Sequence, residues 1–281
     1  MRASFSYLGR GSWLARRDPR VLLLVALLFV VAVTQLRDWR HLAVALVIAL
    51  AYYARANIPW PRIRVQWAYL LGVISLVAVL NALITGGRAG NFADADTHVL
   101  LVIPPFGAEL SAEGISLAVT QILRFAAIAA VGFPIAYAIA PGDLAVALRR
   151  LGIGDRFAFM VDLTVRFIPT IVSEFAETID AQRVRGYDPT ARVGGLLTRL
   201  RRARPVLVPV VIGSIAGAED TIDAMDLRAF GTSRRTWFRR LRFDRTDWAV
   251  VIACLAFTVV ATWLNVKGQT DHRLLPFLVP G

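Results

Sequence analysis

Two arginines hold equivalent places in a ten-residue segment that the chain carries twice, TIDAQRVRGY at 178–187 and TIDAMDLRAF at 221–230. In register, Thr-Ile-Asp-Ala is identical and Arg185 matches Arg228, while Val184, Gly186 and Tyr187 face Leu227, Ala229 and Phe230. An arginine is a rigid fork of donors that can grip a carboxylate with two bonds. The chemistry on offer is therefore binding rather than turnover. For one copy, ordinary helix-end chemistry explains an arginine equally well, because basic side chains favour the negative end of a helix dipole. Two matched copies favour docking, and two like projections suit a partner with two like sockets, such as a dimer.

Catalytic chemistry finds little to work with. The histidines, His41, His98 and His272, are widely separated and read as surface residues. The single cysteine, Cys254, lies in an apolar run, which excludes a disulfide framework or a thiolate metal site. A hard cation needs clustered carboxylates. The nearest approaches are Asp94 with Asp96, read as a solvated loop, and Glu219, Asp220, Asp223 and Asp226, read as the polar face of a helix. No metal site is expected. A P-loop needs G-x-x-x-x-G-K-[ST], yet the only lysine is Lys267, followed by Gly268. The chain is thus expected to be no enzyme and to hold no cofactor of its own. The rival readings are a membrane-embedded prenyl- or phosphatidyl-transferase and a self-contained permease. A permease needs polar groups deep in its spans, and only Gln121 and Arg124 qualify.

The elements that must position the arginines follow from hydropathy. The 281 residues are 57% hydrophobic, yet the formal net charge is +12. Because the arginines alternate with long apolar runs, the charge reads as membrane topology and not as nucleic-acid binding. Five spans are expected, at 21–36, 42–58, 65–85, 115–140 and 247–266, each near the length that crosses a core of about 30 Å. Trp67 and Tyr69 are placed as interfacial anchors. Residues 86–113 read as a polar outer loop. Basic residues fall 26 to 5 on alternate sides of this pattern. The N-terminus and 141–246 are therefore expected in the cytoplasm, and the C-terminus outside.

The 141–246 block is no ordinary loop. GDLAVALRRLGI at 142–153 is an amphipathic helix, with Leu144, Ala147, Leu148 and Leu151 on one side. Ile168, Ile171, Val172, Phe175 and Ile179 keep the spacing of a second. Asp162 and Arg166 read as an intrahelical pair, Pro169 as a kink or a start, and Gly186 as the C′ residue. A third helix is expected from Val206 to Phe230, after the RRARP stretch, with a seam at Val211, Ile215, Ala218, Ile222 and Met225.

PGDLAVALRRLGI, RFIPTIVSEFAETIDAQRVRGYDP and AEDTIDAMDLRAFGTSRRT together resemble the T component of energy-coupling-factor transporters, the EcfT/CbiQ type. The likeness runs across nearly the whole chain. It implies an all-α polytopic cell-membrane protein: membrane helices 1–4 over 1–140, cytoplasmic coupling helices over 141–246, then a last span and outer tail over 247–281. It also implies the job, a non-catalytic scaffold that couples two ABC-type ATPases to a substrate-binding membrane subunit, for vitamin or metal-ion uptake. ATP is then bound by the partners, and the docking set is Ala181, Arg185 and Gly186 with Ala224, Arg228 and Ala229. The usual signature is Ala-Arg-Gly. This chain has Val-Arg-Gly and Leu-Arg-Ala, which bears on the fit in the second groove.

Overall fold

The computed structural model describes residues 13–14, 17–85, 99–103, 108–188, 195–232 and 243–267. The chain divides into two compact units, one built on Pro141–Leu241 and the other on Ser6–Ala140 together with Arg242–Gly281.

The second of these holds the helices α1 (Pro19–Gln35), α2 (Trp39–Ala56), α3 (Trp60–Thr85), α4 (Ala112–Ala138) and α8 (Arg245–Val266). Their starts are written in the sequence. Asp18 caps α1 by accepting the Arg20 N–H, with Pro19 in the first turn. Asp38 does the same for α2 with Arg40, and Asp244 with Asp247 forms a capping box on α8. Small residues then let the helices approach: Ala45 and Ala49 on α2, and Ala126, Ala127 and Ala130 on α4, are buried in one core.

Helices α1 and α8 run parallel. Arg17 reaches Asp247 at 3.5 Å, the Cys254 thiol points at the Val25 carbonyl, and Thr258 donates to Leu28. Phe29 stacks on Phe257 at 5.8 Å. One register serves all four contacts, so both helices begin on the same side of the membrane.

By length and composition, four helices could cross a membrane: Trp60–Leu83, Gly114–Ala138, Arg201–Asp226 and Arg245–Val266, with Pro19–Gln35 a shorter apolar helix. The uncharged part of Arg201–Asp226, between Arg204 and Glu219, covers only about 21 Å at 1.5 Å per residue, against a hydrocarbon core of about 30 Å. Of the five expected spans, α3, α4 and α8 have the length and composition to cross and α1 is the shorter apolar helix.

Three expectations for this unit change. Trp67 is not an interfacial anchor: it is buried, with its ring edge-on to Tyr53 at 5.9 Å and to Phe133 at 5.3 Å. Tyr69, about 200° further round the helix, is 74% exposed. The segment between α3 and α4, expected as a polar loop, carries β1 (Val99–Ile103) paired antiparallel with β2 (Ala108–Ser111). The apolar run VLLVI favours a strand, and a helical reading of the spans gave no reason to look for one. Arg124, whose role was open, donates to the Leu36 carbonyl at 2.7 Å and so satisfies one free acceptor at the end of α1.

The other unit holds α5 (Pro141–Arg150), α6 (Asp155–Val184) and α7 (Leu196–Asp226). Gly152, at φ +99°, lets the chain reverse after α5, whose buried residues are Ala145, Val146 and Ala147. Leu151 is exposed, not packed in the expected row. In α6, Asp162 and Arg166 pair at 3.4 Å, and Pro169 lies inside one continuous helix. Helix α7 begins ten residues before the expected Val206 and runs through Pro205 and Pro209. The Leu- and Arg-rich stretch ahead of them forms helix readily. Its sheltered row is Val206, Val210, Ser214, Ala218, Thr221 and Met225, which leaves Val211, Ile215 and Ile222 exposed. The apolar stripe is wide enough for either row, and tertiary contact chooses between them.

Candidate docking site

Both copies of the repeated decapeptide end in the same backbone structure. After α6, the Gly186 N–H donates to the Arg183 carbonyl at 2.9 Å and the Tyr187 N–H to Gln182 at 3.0 Å. After α7, the Ala229 N–H donates to Asp226 at 2.9 Å and the Phe230 N–H to Met225 at 3.0 Å. These are two Schellman motifs in register, each with an arginine at the C-cap and a left-handed residue at C′. Gly186 has φ +87° and Ala229 φ +53°. Glycine takes such a φ freely, whereas an alanine held there stores roughly 1 kcal/mol of strain.

The side chains then point away from the fold. Val184 is 90% exposed and Leu227 89%, so each arginine stands beside an uncovered apolar residue. The Arg185 and Arg228 side chains are exposed, with no side-chain hydrogen bond or ion pair to another described residue. Ala181 and Ala224, one turn back, are exposed too, as are Gly186 and Ala229. Each helix end thus offers an apolar knob, a free guanidinium and small residues beside it. That arrangement can enter a groove containing acceptors.

Two contacts set the arrangement of the helices. Ser214 on α7 donates to Glu174 on α6 at 3.3 Å, and Phe230 packs on Phe159 with ring centroids 4.7 Å apart. The end of α7 therefore lies beside the start of α6, and the two arginines sit at opposite ends of the pair. From Phe159 to Arg185 is up to about 40 Å along a straight helix at 1.5 Å per residue, shortened by any bend at Pro169. The repeat is thus spatial as well as sequential: two like ends, well separated.

The remaining candidates stay apart from this site. Glu219, Asp220, Asp223 and Asp226 are exposed, and among the described residues no group of three His, Cys, Asp or Glu side chains could hold a metal. His41 lies 3.8 Å from Asp38 at the start of α2. Asp94, Asp96, His98 and His272 lie outside the described residues. Sequence reasoning had no route to Phe159 and Phe230 as the contact that holds the second arginine motif against α6. Its only signal is an aromatic residue at the C″ position.

Comparison with known proteins gives a consistent picture. A family described as cobalt transport protein, CbiQ, matches residues 10–238, a range that contains both arginine motifs. The energy-coupling factor transporter transmembrane protein EcfT of Leuconostoc gelidum is 25% identical over 90% of this chain and 95% of its own length. EcfT of Lactococcus lactis is 26% identical over 93% of this chain and 97% of its own. A putative ABC transporter ATP-binding protein of Bifidobacterium longum is 28% identical over 86% of this chain, which accounts for 30% of that longer protein. The hydropathy, the long apolar helices and the match across both motifs agree: this chain is a membrane component of the energy-coupling-factor transporter type and belongs to the CbiQ family.

Proposed function

We infer that this protein is the scaffold through which a pair of ABC-type ATPases drives uptake by a separate substrate-binding membrane subunit. The observation that carries the reading is the pair of matched helix ends, each with a free arginine and a bare apolar neighbour. A partner with two like grooves satisfies both at once. The Bifidobacterium relative supports it, since a stretch like this chain there forms part of a protein named for ATP binding.

In this reading the segment before α1 and residues 141–246 face the cytoplasm, where ATP is. The basic asymmetry supports that orientation, and α1 and α8 starting on one side is compatible with it. The work divides accordingly. The ATPases bind nucleotide, the substrate-binding subunit selects a vitamin or metal ion, and this chain carries no catalytic group or cofactor of its own. Arg185 and Arg228 dock, Gly186 and Ala229 shape the helix ends, and Ala181 and Ala224 leave room for the groove wall. The permease alternative loses its main support, because Arg124 is engaged with the end of α1.

Gentle detergent extraction of the tagged protein tests the assignment. ATP-binding subunits should co-purify, and uptake in liposomes should need them and ATP. Transport or hydrolysis by the chain alone would overturn it.

A further inference from the structure

We propose that the turn between α2 and α3 binds the headgroup of an anionic phospholipid, with the outward face of α3 as the bed for its acyl chains. Arg55 stands in the last turn of α2, and Arg62 and Arg64 in the first turns of α3. All three are exposed, and none has a side-chain hydrogen bond or ion pair with a described residue. No acidic residue occurs in the sequence between Asp38 and Asp94, so nothing nearby in the chain neutralises them. Asn57, in the left-handed conformation at the end of α2, donates its N–H to the Ala54 carbonyl and ends the helix two residues after Arg55.

Below the arginines the surface changes in the order a phospholipid does. Arg62, Val65, Tyr69, Val73, Leu76 and Leu80 recur at three- and four-residue steps, so they share one face of α3, and every one is exposed. The cation comes first, then a phenol at interface depth, then aliphatic side chains. From Tyr69 to Leu80 the helix covers about 16 Å, close to one leaflet's share of a hydrocarbon core of about 30 Å. Trp60, also exposed, flanks the charged end, where indoles favour the headgroup level.

A protein subunit is the competing occupant of this face. Helix contacts inside membranes favour small residues that bring backbones together. The stripe offers none, and the exposed small pair Ala68 and Gly72 lies on a neighbouring face of α3. Basic residues near an anionic surface each add about fivefold to attraction. Three arginines with no acidic neighbour therefore favour an anionic headgroup over a zwitterionic one by tenfold or more.

Native mass spectrometry of the solubilised protein, titrated separately with phosphatidylglycerol and phosphatidylcholine, is the test. The wild type should bind phosphatidylglycerol at least tenfold more tightly. A triple Arg55→Gln, Arg62→Gln, Arg64→Gln variant should lose that preference while keeping its phosphatidylcholine binding. The triple Arg→Lys variant, which retains the charge, should keep most of it. Equal affinity for the two lipids in the wild type, an unchanged preference in the Gln variant, or loss of it in both triple variants would each overturn the proposal. So would a protein subunit found cross-linked to Tyr69 and Leu76 in a complex that carries no phosphatidylglycerol.

Discussion

Replacing Arg185 and Arg228 by alanine separates docking from helix-end chemistry. In the free protein neither guanidinium touches another described side chain, and the four cap bonds run through the backbones of Gly186, Tyr187, Ala229 and Phe230. Truncation therefore removes nothing from the fold except a favourable charge at a helix C-terminus, about 0.3–1 kcal/mol. In a complex the same change strips one partner from a buried charged pair, which typically costs about 2–5 kcal/mol. At about 1.4 kcal/mol per decade, each single variant should lose roughly 30-fold to several thousandfold in affinity for the ATPases. The two sites lie at opposite ends of the helix pair, so their effects should add. The double variant should then neither retain the ATPases nor support ATP-driven uptake, while membrane insertion and thermal stability stay near wild type. Lysine should rescue poorly, since a point charge cannot reproduce a planar fork. The assay is titration of purified ATPase against the protein in nanodiscs, paired with uptake into liposomes. A double alanine variant whose affinity stays within threefold of wild type would refute docking and leave the repeat as ordinary helix-end chemistry.

Four other outcomes are expected. Ala229→Gly should raise stability by about 0.5–1 kcal/mol by removing left-handed strain, and Gly186→Ala should lower it by about 1–2 kcal/mol, both read from thermal unfolding in detergent. No atom lies within 4 Å of a Cβ built at Gly186, so the second effect is backbone strain alone. Cysteines placed at Gly195 and at Val266, both exposed, should react with an impermeant thiol reagent from opposite sides of the membrane; labelling from one side would refute the proposed sidedness. Asp94→Asn with Asp96→Asn should leave uptake nearly intact, and a large loss with normal assembly would expose an ion site. Arg124→Leu leaves the Leu36 carbonyl without its charged donor and should cost about 1–3 kcal/mol of stability in the membrane unit, read from melting in detergent.

What could be read from the chain alone was whatever depends on neighbours a few residues apart. Apolar runs marked the helices α1, α2, α3, α4 and α8, because a long uninterrupted apolar run needs a helix to satisfy its backbone. The Asp162–Arg166 pair is a one-turn interaction, and Gly186 announced its own left-handed cap. The repeated TIDA segment placed two arginines at equivalent helix ends because capping is local chemistry. Ala229 shows how far this reaches: the same cap forms even where the glycine is missing, since the matching hydrogen-bonding positions are present.

Tertiary structure decided everything that required one apolar face to be preferred over another. Periodicity put Val211, Ile215 and Ile222 in the α7 seam, yet the stripe is broad, and packing sheltered Val206, Val210 and Ser214 instead. Trp67 and Tyr69 looked alike as anchors until the aromatic rings of Tyr53 and Phe133 claimed one of them. The partner of Arg124 is a backbone carbonyl 88 residues away, which no local pattern encodes. The parallel pairing of α1 with α8 joins residues about 230 positions apart, such as Leu28 and Thr258, and only the whole path of the chain brings them together.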